Sequence, residues 1–364
     1  MKRKYFLLLA PVSLVFILLA KMFPVVAEYI FARGLFKIIS IPIGFVTGLF
    51  PFSIAEILVL LAPVVFLGFM VRFICLMFHG NRLQVIKRWG LNTGVFFSIL
   101  FFLFTVLCGT NYYRYEFERF CDFEVKEYSV EELYSLCEYL AGMANQTKAL
   151  VKETDQNQVV VMEDFAKVAE DAGKAYKKIQ EKYPVFRFSA GKAKPVILSK
   201  YMSYTGIVGI YFPFTVEANV NNDVAGYNRP SDTCHELAHL HGFMRENEAN
   251  FISYLVCTNS DEAYFRYSGY MMGLIYATNA LYDEDIEKYM QISSLISEEV
   301  RADLIYEDEY WDKLRSTDAY QAVEAASDRV NDTYLKVNGQ SDGVKSYGKM
   351  VDLLIADYLM LREQ

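Results

Sequence analysis

Three of the chain's four histidines fall within one short segment, residues 234–241 (CHELAHLH). The pattern His-Glu-x-x-His occupies positions 235–239 of this segment. Residues four apart share a face of a helix, so His235 and His239 can both reach one metal ion. Glu236 lies beside them and can take a proton from a water molecule that the metal has made more acidic. The segment therefore predicts a catalytic Zn²⁺ centre with Glu236 as the general base.

The third protein ligand should come from residues just after this motif, because a catalytic zinc usually has three protein ligands and one open position. His241 is only two residues from His239, on the wrong face of a continuing helix. Glu246 lies four residues before Asn250, so on a second helix the glutamate could bind the metal while Asn250 holds a ligand histidine. We expect Glu246 to be the third ligand, with Glu248 as the alternative.

The motif needs a helix, and its flanking residues favour one. Ser231 and Asp232 are typical of a helix start, and Gly242 is typical of a helix end. Upstream, residues 207–220 are rich in β-branched and aromatic side chains, which predicts short strands. Residues 207–220 could form a strand edge that pairs with an extended substrate, with Glu217, Ala218 and Asn219 near the metal. A plain core strand is an equally good interpretation of them.

Peptide hydrolysis also needs a group that stabilises the negative charge developing on the substrate oxygen. The sequence offers four candidates downstream of the motif and does not choose among them: Tyr254, Arg266, Tyr267 and Tyr270.

The motif resembles the gluzincin zinc peptidases, in which a glutamate on the following helix is the third ligand and an acid or amide one turn later orients a histidine. The chain is also similar over nearly its whole length to a bacterial family of uncharacterised, membrane-anchored proteins with a zinc-peptidase motif. That resemblance rests on the three apolar N-terminal stretches, the His-Glu helix and four further segments: 211–219 (YFPFTVEAN), 246–251 (ENEANF), 265–270 (FRYSGY) and 331–339 (NDTYLKVNG). It implies Zn²⁺ and hydrolysis, and it implies no particular substrate.

The first 110 residues indicate a membrane domain. They contain three apolar stretches of about the length needed to cross a bilayer, at residues 5–27, 54–71 and 90–109. Residues 28–52 are apolar but interrupted by charges and prolines, so we expect an interfacial or re-entrant segment there. Basic residues at positions 2–4 and 72–88 favour the cytoplasmic side. Three spans would then place residues from about 111 onward outside the cell.

Composition agrees with a membrane part fused to a globular part. The chain has 364 residues, 53% hydrophobic and 22% charged, with a mean hydropathy of +0.15. This apolar content excludes a disordered chain. Residues 1–110 carry a net charge of +8 and residues 111–364 a net charge of −16. The acidic part gives no support for nucleic-acid binding.

Residues 111–364 are expected to form a mainly α domain with a small β-sheet, an α+β fold similar to the zincins. A polar break at residues 154–157 separates two predicted helices, and the four cysteines of this part could pair in disulfides. The favoured function is a multi-pass, membrane-anchored zinc metallopeptidase acting on peptides or proteins. The alternative is a non-catalytic membrane sensor or scaffold with a structural metal site.

Overall fold

A computed structural model describes residues 2–153, 160, 163–187, 189, 191–323, 333 and 347–363. The described part is mainly helical with one small sheet, and several apolar helices lie near its N-terminus. The sequence segments 154–157, 331–332 and 334–339 lie outside the described residues. The chain divides into two compact units. The first unit comprises Met1–Tyr115 and Phe212–Glu217, and the second comprises Glu116–Tyr211 and Ala218–Gln364.

The first unit is built from apolar helices. They are α1 (Leu9–Met22), α2 (Pro24–Val26), α3 (Phe36–Thr47), α4 (Ile54–His79) and α5 (Arg82–Leu107). A 3₁₀ segment, Lys2–Leu8, precedes α1, and a π-helical segment, Ala27–Leu35, joins α2 to α3. A second 3₁₀ segment, Gly109–Tyr113, follows α5.

Four helical stretches of the described residues are long and apolar enough to cross a membrane by length and composition. They are Arg3–Met22, Pro24–Thr47, Ile54–His79 and Arg82–Tyr113. The sequence predicted three spans. The difference is Pro24–Thr47, where an interfacial segment was expected and the chain forms a nearly continuous helix.

Helices α1 and α5 run in the same direction. Leu7, just before α1, packs over Gly94 of α5. Farther along both helices, the ring centroids of Phe16 and Phe102 are 6.1 Å apart. Because both contacts advance together along the two sequences, the C-terminal ends of α1 and α5 lie at the same end of this unit.

Helix α4 runs antiparallel to α5. Only residues 80–81 separate the two helices, and the rings of Phe69 and Phe73 on α4 lie 4.1 and 4.9 Å from the ring of Trp89 on α5. The N-terminus of α4 therefore lies at the same end of the unit as the C-terminus of α1.

The first turn of α4 has acceptors for its backbone N–H groups. Ser53 Oγ accepts from Glu56 N at 2.9 Å, which agrees with the helix start expected there. The carboxylate of Glu217 accepts from Ile54 N at 3.1 Å and from Ala55 N at 2.8 Å. A carboxylate at this place satisfies groups that have no partner within the helix and complements the helix dipole.

A buried ion cluster lies at the start of the Pro24–Thr47 stretch. The side chain of Glu28 has no exposed surface, and it accepts from Arg33 Nε at 2.6 Å and from Arg114 Nε at 2.9 Å. Arg114 follows the Gly109–Tyr113 segment directly. This cluster therefore fastens the beginning of the Pro24–Thr47 stretch near the C-terminal end of α5.

The second unit contains nine of the helices that the structure describes. They are α6 (Val130–Lys148), α7 (Phe165–Ile179), α8 (Ser199–Ser203), α9 (Arg229–Leu240), α10 (Glu246–Thr258), α11 (Ala263–Glu284), α12 (Ile286–Leu295), α13 (Glu298–Arg315) and α14 (Tyr347–Glu363). The six cysteines of the chain are free thiols, including Cys121, Cys137, Cys234 and Cys257, for which pairing was considered.

The sheet has three strands in the order β1 (Ala193–Pro195), β3 (Glu217–Val220) and β2 (Gly209–Phe212). Strands β1 and β3 are parallel, with Ala193 opposite Ala218. Strands β2 and β3 are joined by only four residues, so they form an antiparallel hairpin. The central position of β3 leaves β1 and β2 at the edges of the described sheet.

Candidate metal centre

The His-Glu motif lies on α9, as the sequence predicted. Pro230 occupies the first turn of this helix, and Gly242, with a φ of 88°, follows its end in a conformation that favours glycine. Glu246 is the first residue of α10. The short turn at Gly242 thus brings the start of the second helix back beside the face that carries His235 and His239.

Three metal-binding groups converge at this point. The ligand atoms offered by His235, His239 and Glu246 all lie within 4.8 Å of one another. Glu246 Oε2 is 3.1 Å from His235 Nε2, and Glu246 Oε1 is 3.8 Å from His239 Nε2. The two rings are 4.9 Å apart and nearly perpendicular. Two imidazole nitrogens and one carboxylate form a donor set that fits a catalytic zinc, so the residues present suit that ion.

In both histidines the second ring nitrogen, Nδ1, lies beside a hydrogen-bond acceptor. His235 Nδ1 lies 2.6 Å from Asn250 Oδ1, and His239 Nδ1 lies 2.7 Å from the carbonyl oxygen of Phe243. Both acceptors hold a hydrogen on Nδ1, so the Nε2 atom of each ring lies on the side of Glu246 and is the atom that would bind a metal ion. Asn250 has the position expected for it, and its Nδ2 donates in turn to Tyr276 Oη at 3.0 Å.

Glu248 points elsewhere, although it is only two residues from Glu246. Its Oε1 accepts from the backbone N–H of Phe117 at 2.9 Å, and the carboxylate also pairs with Arg245. His241 is likewise directed into the core, where its ring stacks on Tyr176 with centroids 4.7 Å apart. These contacts place both residues outside the group formed by His235, His239 and Glu246.

Glu236 is buried beside this group. It is 4% exposed, and its Oε2 atom has no hydrogen-bond partner among the described residues. Burial raises the pKa of Glu236 to about 8, with His235 opposing the shift and Glu246 and Asp232 adding to it. A buried carboxylate that lacks a full set of partners is uncommon and calls for an explanation.

The two histidines differ in their electrostatic surroundings. Burial alone lowers the pKa of His235, but Glu246 outweighs it and raises that pKa to about 9. Burial lowers the pKa of His239 to about 4. For Glu246, burial acts to raise the pKa, yet the two histidines hold it below its usual value. A proton and a divalent cation would compete for the same His235 nitrogen, so metal binding here should depend on pH.

Strand β2 runs beside the motif, and it lies within residues 207–220, the segment in which a substrate-pairing strand was expected. A Cβ atom placed on Gly209 would lie 2.4 Å from Glu236 Oε1, so the glutamate side chain packs directly on the glycine. Two residues later, the ring centroid of Tyr211 lies 6.2 Å from that of His239. Because alternate residues of a strand share a face, Gly209 and Tyr211 present one face of β2 to α9.

The three residues of that segment that were expected nearest the metal have a different place. Glu217, Ala218 and Asn219 lie in β3, whose backbone is flanked by β1 and β2. The Glu217 side chain is occupied by the N-terminus of α4, and Asn219 Nδ2 donates to the carbonyl of Ile210 at 3.2 Å. A central strand has no edge to offer a substrate, so the alternative interpretation of a core strand suits these residues better.

The four residues considered for oxyanion stabilisation make their described contacts away from the histidines. Tyr267 Oη donates to Asp303 Oδ2 at 2.6 Å, and Arg266 Nη1 donates to the carbonyls of Ser260 and Asp261 at 2.9 and 2.7 Å. The rings of Tyr254 and Tyr270 pack on each other, with centroids 6.4 Å apart.

Comparison with known proteins identifies a family and nothing more specific. No curated protein matches the chain, and no solved structure matches it. One family model does match, over residues 31–355, and its description is "Protein of unknown function (DUF3810)". The match spans most of the chain, which therefore belongs to this family.

Proposed function

We propose that the protein is a membrane-anchored, zinc-dependent metallopeptidase. The observation that carries this proposal is the convergence of His235, His239 and Glu246 on one point, with Glu236 beside them. Three protein ligands leave a fourth position for water or substrate. When bound, Zn²⁺ would supply Lewis acidity toward water and the scissile carbonyl.

The chain's own residues would then move the proton. Glu236 is adjacent to a ligand histidine but is not itself in the ligand group. Its carboxylate would accept a proton from the attacking water and deliver it to the amine that leaves. Asn250 and the Phe243 carbonyl hold the histidines in orientation while the proton moves. The hydrogen bonds to Nδ1 also make the Nε2 atoms better ligands.

The rival proposal is a scaffold in which a metal ion only stabilises the fold. A structural zinc is usually enclosed by four protein ligands. Among the described residues the group has three. Glu236 lies beside this group without belonging to it, and a structural site has no use for a non-ligand glutamate there, which favours the hydrolase.

The proposed topology has three spans. Because α1 is parallel to α5 and α4 is antiparallel to it, the Pro24–Thr47 stretch leaves α1 and enters α4 at the same end of the first unit. A stretch that begins and ends on one face of the bilayer does not cross it once. We therefore place Pro24–Thr47 in the interfacial layer, and the basic N-terminus favours a cytoplasmic start and an extracytoplasmic second unit.

Labelling would test this topology. The side chain of Leu49 is 69% exposed. In a variant whose single cysteine comes from Leu49→Cys, that cysteine should react with a membrane-impermeant maleimide added outside intact cells. Alkaline phosphatase fused after Thr110 should be active. Because α4 and α5 both lie between positions 49 and 110, a fourth span with the N-terminus still in the cytoplasm would protect the cysteine and inactivate the fusion together. An inactive fusion would overturn the extracytoplasmic placement.

Zinc content and hydrolysis would test the function. The full chain, purified in detergent, should bind about one zinc ion per molecule. Glu246→Gln and His239→Ala should lose it, whereas the matched variant Glu248→Gln should keep it because Glu248 faces Phe117 and Arg245. A peptide library should then reveal cleavage that Glu236→Gln abolishes. Zinc binding without any cleavage dependent on Glu236 would favour the scaffold.

A further inference from the structure

The hairpin formed by β2 and β3 is shared between the two units. Its turn, Phe212–Glu217, belongs to the first unit, and the rest of the two strands belongs to the second. Within the turn, Val216 is 1% exposed and has a φ of 52°, a conformation that is costly for a β-branched residue. Such a conformation persists only where the surroundings fix it. The turn therefore has one defined shape within the first unit.

Glu217 fastens this turn to the apolar helix α4. Its two carboxylate oxygens accept from the backbone N–H groups of Ile54 and Ala55, and the residue is 1% exposed. These N–H groups lie in the first turn of α4, so they have no partner within their own helix. Hydrogen bonds to a charged acceptor are stronger than those between neutral groups. The position of the turn therefore depends on where α4 begins.

The same hairpin contacts the proposed general base. Asn221, just after β3, donates its backbone N–H to the carbonyl of Val208 at 2.9 Å, which holds the start of β2 beside β3. The next residue, Gly209, is the one on which the Glu236 side chain packs. A methyl group added at Gly209 would overlap that side chain, so a shift of β2 would displace the Glu236 carboxylate.

We propose that Glu217 is a positioning residue for hydrolysis, and that through it the start of α4 sets the position of the general base. This inference rests on the proposed hydrolase function. Glu217 holds the turn, the turn continues into β2, and β2 limits where the Glu236 carboxylate can lie. The first unit is therefore more than an anchor, because the rate of turnover depends on its helix α4.

A role for Glu217 that is confined to capping α4 leads to a different expectation. Loss of an acceptor at a helix N-terminus destabilises that helix. It would lower Tm without slowing turnover at temperatures where the chain is folded. A positioning role predicts slower turnover with zinc retained, because the three metal-binding groups lie on α9 and α10.

The test removes a hydrogen-bond donor and leaves the glutamate in place. Ile54 is the first residue of α4, a position that accepts proline because its N–H has no partner in the helix. Ser53 has a ψ of 115°, the extended conformation that a following proline requires. Ile54→Pro therefore deletes the hydrogen bond to Glu217 and leaves α4 able to form. Ile54→Ala keeps the N–H and is the matched control.

The variants are compared as full, zinc-loaded chains with a peptide found in the library screen. In Ile54→Pro, kcat should fall by about 10- to 100-fold, the order of loss expected when a distant change displaces a catalytic group. KM and zinc content should stay close to wild type, and Ile54→Ala should keep the wild-type kcat. Glu217→Gln keeps one acceptor oxygen and loses the charge, so its kcat should lie between the two. It decides the question if Ile54→Pro does not fold.

Hydrogen exchange supplies a second readout that does not depend on turnover. The amide of Asn221, which donates to Val208, should exchange faster in Ile54→Pro than in Ile54→Ala, while the amides of α11 should exchange alike in both. Equal kcat in these two variants would overturn this inference alone. A lower kcat that comes with lost zinc, or with faster exchange in α11 as well, would show general destabilisation and would also overturn it. If wild type shows no cleavage that depends on Glu236, the proposed function falls, and this inference falls with it.

Discussion

Asp303 and Glu236 are both carboxylates buried in the second unit, yet their surroundings differ. Asp303 Oδ2 accepts from Lys148 Nζ and Tyr267 Oη, each at 2.6 Å, and Oδ1 accepts from Val160 N at 2.9 Å. Every oxygen of Asp303 thus has a partner within the protein. Glu236 has one oxygen with no partner in the described chain.

This difference distinguishes a buried carboxylate that stabilises the fold from one that could take part in chemistry. The Asp303 cluster ties α6, α11 and α13 together and needs nothing further, because the cation and the donors satisfy the buried charge. The described residues around Glu236 leave its Oε2 atom without a hydrogen-bond partner. Where a protein keeps a buried carboxylate incompletely satisfied beside three converging ligands, the missing partner is expected to come from solution.

The largest expected effect is on the free energy of unfolding, through the Asp303 cluster. Lys148→Met should lower the free energy of unfolding by about 3–5 kcal/mol, because it leaves the buried Asp303 without its cation. The measurement is urea unfolding of the detergent-solubilised chain. The double variant Lys148→Met/Asp303→Leu should recover much of the loss. If the single variant unfolds like wild type, the cluster does not hold the three helices together.

The next effect is on metal affinity. Asn250→Ala removes the acceptor on His235 Nδ1 and should weaken zinc binding by about 10- to 100-fold, measured by competition with a chelator. The free energy of unfolding of the metal-free chain should change little by comparison with Lys148→Met. An unchanged zinc affinity would show that Asn250 does not orient His235.

A third carboxylate lies between these two cases. Burial raises the pKa of Asp357 from 3.8 to about 6, and Lys182 opposes the shift only in part. Because the folded protein binds this proton more tightly than the unfolded chain, the free energy of unfolding should fall as pH rises from about 4 to about 6 and then level off. Asp357→Asn should remove this dependence and stabilise the chain above pH 6 by on the order of 2 kcal/mol. Parallel pH profiles for the two proteins would argue against a buried, ionised Asp357.

The smallest effect contrasts two glycines. Gly142, inside α6, has no heavy atom within 4 Å of the position a Cβ would take, so Gly142→Ala should stabilise the chain by about 0.5–1 kcal/mol. Gly209→Ala should instead displace the Glu236 carboxylate and lower kcat while zinc stays bound. Thermal unfolding and the peptide assay together separate the two outcomes. A wild-type rate in Gly209→Ala would mean that β2 does not position Glu236.

The sequence predicts the local parts of this site well. The four-residue spacing of His235 and His239 places them on one helical face, and Asn250 one turn after Glu246 predicts which glutamate turns inward. Both predictions depend on helix geometry, which needs only neighbouring residues. The small sheet and the predominance of helix also follow from local patterns.

What the sequence does not predict depends on contacts between distant segments. The acceptor role of Glu217 requires knowledge of where α4 begins, 163 positions earlier in the chain. Tyr211 carries no signal that distinguishes it from the other tyrosines, because only the pairing of β2 with β3 brings it to His239. The one available clue was Gly209, since a glycine inside a strand often marks a close approach by another group.

The hydrogen bonds from α4 to Glu217 also impose an order on biosynthesis. The first unit is discontinuous in the chain, because Phe212–Glu217 joins it after nearly a hundred intervening residues have been made. While the ribosome is still adding those residues, the N–H groups of Ile54 and Ala55 lack the acceptor that Glu217 later provides. The first unit therefore stays incomplete until residues 212–217 have been made, and α4 acquires its last acceptor only when the β2–β3 hairpin has folded.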